Sequence, residues 1–230
     1  MKKKKHFYIR LILLLLFGTG MVYSLINLKS WKEENKKVEE IVEEEKERLI
    51  EEKEETFLDP EILKDNPDTV GWLIVDGTDI NYPVVQYKNN DYYLFHDFKK
   101  EYNTAGWVFM DYQNTLDDQN IVIYGHNRQD DSMFGSIDNL FNQTGDKELE
   151  IKLITFDREI IYKIFSVYKI NAEDPYTKKN FESFSEEILK FKNRSKISFN
   201  QDISTAKQII TLSTCHQNNK DRAVVHGYKN

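Results

Sequence analysis

Cys215 is the only cysteine in 230 residues and closes a strand-like run, QIITLSTC. A chain with one cysteine forms no internal disulfide, so the thiol is buried and inert, paired between molecules, or reactive. Strand alternation puts Ile209, Thr211, Ser213 and Cys215 on one face and Ile210, Leu212 and Thr214 on the other. His126 closes a second run, NIVIYGH, in which Gly125 leaves room for close approach. Arg222 opens a third, seven residues beyond Cys215 across the polar stretch HQNNKD.

These are the parts of a thiol-based acyl-transfer centre. A thiolate is the nucleophile, and a neighbouring imidazole or guanidinium favours it. The imidazole also protonates the departing amine when an amide is split. A guanidinium holds a substrate carbonyl or the developing oxyanion, and losing one such donor typically costs about 10²–10³ in rate. Plainer readings stand beside this one: a hydrogen-bonded structural histidine at a strand end, and a solvated arginine. In a continued strand His216 points away from the Cys215 face, so the two are not paired. No CxxC or HxxxH spacing supports a metal on Cys215, His216 and His126. His96 and His226 read as surface or barrel-wall residues.

Short apolar runs must position these three. Gly71–Val75 and Ile80–Gln86 flank an Asp76–Gly77 turn signal, and Pro83 marks an edge or bulge in the second. Further strands are expected at Gly106–Met110, Asn120–His126, Glu148–Thr155, Arg158–Ile170, Lys207–Cys215 and Arg222–Tyr228, with a hairpin turn at Phe156–Asp157. Ser132–Phe141, opened by an Asp131–Ser132 cap, and Glu182–Lys192 carry apolar residues at helical spacing. The fold class is mainly β: about eight strands, with closure into a barrel expected because it removes exposed edges, and a two-sheet sandwich as the alternative.

The first part of the chain reads as an address. Four lysines and Arg10 precede an apolar run from Leu11 to Leu28, about the length that crosses roughly 30 Å of hydrocarbon. Basic residues in front and acidic ones behind put the N-terminus, with His6, in the cytoplasm and the remainder outside. A cleaved signal peptide is the other reading, but the run is long for one and Gly18–Thr19–Gly20 falls mid-span. Trp31 to Glu55 is rich in Glu and Lys with a thin apolar stripe, a helical stalk. The expected organisation is a basic cytoplasmic segment (1–10), a transmembrane signal-anchor (11–28), a charged stalk (29–58) and an extracellular domain (59–230). The formal net charge of −7 disfavours nucleic acid as a partner.

At the three chemical residues the sequence resembles the sortases, most closely class B. TLSTC (Thr211–Cys215) is similar to the family's TLxTC strand, YGHN (Tyr124–Asn127) to its histidine segment, and RAVVHG (Arg222–Gly227) to its arginine strand. INYPVVQ, YYLFHDF, GWVFMDYQN and MFGSIDNL add to the likeness, which runs in order from about Gly71 to Tyr228. The resemblance implies an eight-stranded barrel with N-terminal helices and an inserted helix before the cysteine strand, a place that Glu182–Lys192 fits. It implies Cys215, His126 and Arg222 as catalytic residues, and Ser213, Tyr124, Asn90, Leu94 and Tyr176 as substrate-binding ones. Cys215 would attack a Thr carbonyl in the C-terminal sorting motif of a secreted protein, and a peptidoglycan amine would resolve the thioacyl enzyme. No cofactor and no metal are implied. Pilin polymerisation and an inactive, membrane-tethered binding protein are the competing functions. Intact Cys215, His126 and Arg222 speak against the second.

Overall fold

The computed structural model describes residues 2–51, 57–215 and 221–230, with the side chains of residues 2–11, 48–51 and 215 outside the description. The expected polar turn from His216 to Lys220 also lies outside it. The chain divides into two compact units, Met1–Ile41 and Val42–Asn230.

Residues 2–41 of the first unit belong to helix α1 (Lys2–Glu51). From Ile12 this helix is long and apolar enough to cross a membrane, with a mean hydropathy of 1.6 in its most apolar stretch. The apolar run gives way to Lys and Glu, and Lys29–Glu33 (3.7 Å) and Lys36–Glu40 (3.1 Å) pair one turn apart. Such exposed pairs support a helix by a few tenths of a kcal/mol each, about 0.2–0.5.

In the second unit the elements run α2 (Ile62–Asp65), β1 (Thr69–Val75), β2 (Asn81–Val85), β3 (Phe109–Met110), β4 (Asn120–His126), β5 (Glu150–Ile154), β6 (Glu159–Asn171), α3 (Phe184–Arg194), β7 (Gln208–Cys215) and β8 (Asp221–Lys229). The strands close into a barrel in the order β1-β2-β3-β4-β7-β8-β6-β5. Closure, rather than a two-sheet sandwich, satisfies every edge. Two pairs are parallel, β2 with β3 and β4 with β7; the others are antiparallel. A parallel pair needs a long crossover, and β5, β6 and α3 supply it between β4 and β7. The consequence is that β4 and β7 end side by side.

Strand β7 is buried on both faces from Gln208 to Thr214. One face packs on the barrel interior. The other meets a second core formed by Phe165, Tyr168, Tyr176, Ile188, Phe191, Ile203, Ile209, Val224 and Tyr228. Helix α3 covers this outer core with Ile188 and Phe191 on its buried face. The β6–β7 connection is therefore a layer over the outer faces of β7 and β8.

Several sequence expectations move. Strand β3 has two residues, not the five of Gly106–Met110. Gly106 adopts φ +61°, and the Trp107 amide donates to the Tyr93 carbonyl (2.9 Å), so residues before Phe109 serve a loop. Pro83 tolerates its lost N–H because the neighbour on that side is this loop. Its carbonyl accepts the Trp107 indole N–H at 2.9 Å. The helix expected from Ser132 begins at Gly135 and is a 3-10 helix ending at Asn142. Asp131 and Met133 have positive φ (62° and 52°), and the Phe134 amide is committed to the His126 carbonyl, so residues 131–134 cannot start a helix. The Phe156–Asp157 turn forms, with Thr155 and Arg158 exchanging hydrogen bonds across it.

Candidate active site

The geometry follows from strand register. In the parallel β4–β7 pair, Tyr124 stands opposite Ser213 and His126 opposite Cys215. In the antiparallel β7–β8 pair, Thr211 is opposite His226 and Ser213 opposite Val224. The ladder ends at that pair; the same register extended by two steps would bring Cys215 level with Arg222. His126 and Cys215 thus share one sheet row, 89 positions apart in sequence, and Arg222 stands at the start of the strand next to β7. Just below, the Ala223 amide donates to Thr214 Oγ1 at 2.9 Å and holds the start of β8 against the end of β7.

His126 is buried, and its Nε2 lies 2.8 Å from the Leu94 carbonyl oxygen. A carbonyl only accepts, so Nε2 carries a proton and Nδ1 is the nitrogen that gains or gives one. One glycine makes room for this ring and another for the neighbouring Phe134. Gly125 receives the face of Phe134, where a Cβ would come within 2.7 Å of the phenyl ring. At Gly106 a Cβ would meet the carbonyl oxygens of Tyr93 (2.6 Å) and Leu94 (2.8 Å) and Cδ2 of His126 (2.9 Å), at a φ that already favours glycine. Gly106→Ala is expected to destabilise the protein by about 1–3 kcal/mol and to displace His126 from Leu94. A lowered urea midpoint with a slower peptide-cleavage rate per folded molecule would show both effects.

Around this row the five expected substrate-side residues fall into two groups. Tyr124 OH donates to Asp111 Oδ2 (3.1 Å), which also accepts Asn90 Nδ2 (2.8 Å). Asn90 Oδ1 in turn accepts the Tyr112 amide at 2.9 Å. Asn90, Tyr124 and half-buried Leu94 thus share one side of the site with His126. On the other side, Ser213 and Tyr176 are buried and meet through their hydroxyls at 2.8 Å. A cleft of about 430 Å³ is lined by Asp111, Gln113 and Asn114 of the β3–β4 connection and by Thr177, Lys178, Lys179 and Asn180 of the β6–β7 connection. Arg222 is half-buried, and its Nη1 donates to the Asp221 backbone carbonyl at 3.4 Å, not to that residue's carboxylate. Among the described residues no group of three His, Cys, Asp or Glu is arranged to hold a metal ion.

Sequence reasoning missed Asp111 and the buried polar layer two rows below Cys215. In that layer Thr211 Oγ1 donates to Asn120 Oδ1 (2.6 Å) and lies 2.9 Å from His226 Nδ1. His226 Nε2 lies 2.8 Å from Tyr168 OH, and Phe191 stacks on the imidazole at 4.2 Å. The expected barrel-wall place of His226 is correct, but the residue is fully buried and fully hydrogen-bonded. Burial, aided by the charge of Arg194, pushes its pKa down to about 3 from 6.5. The titratable and charged groups facing it are the Tyr168 phenol, itself raised by burial, and Arg194 of α3, which pairs with Asp174 at 3.0 Å.

Between pH 3 and 6.5 the unfolded chain therefore binds a proton at this residue that the folded one refuses. Stability from His226 is complete above that window and is lost as pH falls through it. Urea unfolding should show a steeper rise of stability with pH in the wild type than in His226→Phe, and parallel curves would exclude this source.

The sortase domain family matches residues 73–230. The chain belongs to the sortase family. Sortase B of Listeria monocytogenes is 37% identical over 180 residues, covering 73% of this chain and 72% of that protein. The Staphylococcus aureus sortase B–substrate complex superimposes with a TM-score of 0.76 at 28% identity, covering 86% of this chain and 96% of that one. A sortase B complexed with triglycine gives the same TM-score and identity, covering 86% and 97%. Class B sortases are cysteine transpeptidases of the cell wall, and this enzyme has their closed barrel with an N-terminal helix.

Proposed function

We propose that this sortase cleaves a C-terminal sorting motif after its Thr in secreted proteins and transfers the acyl group to a peptidoglycan amine. In this reading the Cys215 thiolate attacks the Thr carbonyl carbon, and Arg222 stabilises the resulting oxyanion. His126 gives its Nδ1 proton to the departing amine as the C–N bond breaks, leaving a thioester on Cys215. The incoming amine attacks that thioester and loses a proton to His126. The new amide forms and the thiolate departs, so the cycle closes with no cofactor. The observation that carries the reading is the register of His126 opposite Cys215 in a parallel pair, at the end of β7 where β8 begins with Asp221 and Arg222.

Substrate and triglycine complexes of similar sortases support a sorting-motif donor and an amine acceptor for this chain. Asn90, Leu94, Tyr124, Ser213 and Tyr176 line or buttress the groove for the motif in this proposal. The apolar helix supports a single-pass anchor with the N-terminus in the cytoplasm, segments 1–10, 11–28 and 29–58 serving as basic flank, span and stalk, and 59–230 acting outside.

The test uses the full chain in detergent with quenched-fluorophore peptides carrying Asn-Pro-x-Thr-Asn or (Ser/Asn/Pro)-Pro-x-Thr-Gly motifs, with and without triglycine. Cleavage after Thr, a mass adduct on Cys215, and a new Thr–Gly bond are expected. A folded chain with a reactive thiol that neither cleaves nor becomes acylated would instead be a tethered binding protein.

A further inference from the structure

The buried histidine of β8 does not touch the reacting row, yet its hydrogen bonds lead to the segment that lines one wall of the cleft. Thr211 has one hydroxyl proton, and Asn120 Oδ1 at 2.6 Å takes it, because a carbonyl oxygen only accepts. His226 Nδ1, 2.9 Å from the same Thr211 oxygen, must then donate. Its Nε2 is left as the acceptor, filled by Tyr168 OH at 2.8 Å. One tautomer of a neutral imidazole satisfies all of these contacts.

Asn120, with its oxygen fixed by Thr211, presents Nδ2 to the carbonyls of Tyr176 (3.3 Å) and Lys178 (2.9 Å). Its backbone amide donates to the Lys179 carbonyl at 2.9 Å. Next to it, Gln119 Oε1 accepts the Phe181 amide (2.8 Å), and the Gln119 amide donates to Asn180 Oδ1 (3.2 Å). Residues 176–181 are therefore sewn to the start of β4, and Tyr176 from this segment reaches Ser213. If the Asn120 amide were reversed, its oxygen would face two carbonyl oxygens and the segment would be repelled.

We infer that His226 is a positioning residue for substrate binding: through Thr211 it fixes the orientation of Asn120, and so holds residues 176–181, of which 177–180 line one wall of the cleft and Tyr176 meets Ser213. The inference rests on the proposed sortase reaction for its kinetic consequence, but not for its structural one. His226 acts on the wall of the groove, not on the thiol. Its removal weakens peptide binding and leaves the chemical step in place.

The experiment compares wild type with His226→Phe, which keeps the stack on Phe191, Thr211→Val, which keeps the shape and removes only the link, and the double variant. For a cleaved sorting peptide, KM should rise about 5–10-fold in each single variant with kcat within about twofold. The double variant should be no worse than the singles, because both cut one chain of contacts. Hydrogen exchange of the amides in 176–181, read on the full chain in detergent, should accelerate in all three variants. Alkylation of Cys215 by iodoacetamide should keep its pH profile.

An unchanged KM with only a lowered unfolding temperature would overturn the inference and reduce His226 to a structural residue. A fall in kcat at constant KM, or additive effects in the double variant, would also overturn it. If wild type turns over no peptide, the sortase reading fails by itself. The exchange measurement then decides the docking role independently, with unchanged protection in 176–181 counting against it.

Discussion

Cys215→Ala should bring peptide cleavage and transpeptidation below detection, a loss of about 10⁴-fold or more. The reason is chemical rather than geometric. With no sulfur there is no thioester, so the two-step route through a covalent intermediate closes. His126 and Arg222 would remain in the row, and together they could polarise a carbonyl and supply a proton. Neither can replace the nucleophile, and direct attack by water on an amide is far slower. The measurement is the cleavage rate of the best sorting peptide, with intact mass to confirm that no acyl adduct forms and circular dichroism to confirm the barrel. Cys215→Ser sharpens the test. A serine hydroxyl is a far weaker acid than a thiol, so His126 would have to act as base on it during attack. That variant should stay within about tenfold of Cys215→Ala. Substantial activity in either variant would remove Cys215 from the nucleophile's role.

Much of this site was legible because the strands that carry it are regular. NIVIYGH and QIITLSTC are unbroken runs with β-branched residues, and the observed β4 and β7 match Asn120–His126 and Gln208–Cys215. The inserted helix was readable because its apolar residues recur at helical spacing; it runs Phe184–Arg194 against the expected Glu182–Lys192. The relation between the two strands was not legible. Their parallel pairing spans a crossover that contains two strands and a helix, and no local signal in either run specifies its partner. Resemblance to a family, not periodicity, brought His126 and Cys215 together.

The same limit hid the buried layer. Asn120, Thr211 and His226 look like ordinary strand residues until register sets them side by side, and hydrogen-bond polarity can only be worked out after that. Where the reading went astray, as at Gly106–Met110 and at Ser132, the backbone had been claimed by distant groups: Tyr93 for Trp107, and His126 for Phe134. Tertiary hydrogen bonds overrode local propensity there.

His126→Gln separates position from proton transfer. Glutamine is close in reach to histidine, and its amide N–H can still donate to the Leu94 carbonyl, which the imidazole Nε2 meets at 2.8 Å. Packing by Phe134 against Gly125 is undisturbed, so the strand end keeps its place. What glutamine lacks is a group that can hold a proton and release it. The leaving amine would then depart unprotonated, and the acceptor amine would attack with no base to take its proton. General acid–base catalysis by a positioned group is worth about 10²–10⁴, and both halves of the proposed reaction would use it. A kcat lowered about 10³-fold with KM within a few-fold is the expected result. If His126→Gln instead kept wild-type kcat, the hydrogen bond to Leu94 would be the whole function of the residue, and the proton would have to travel by another route.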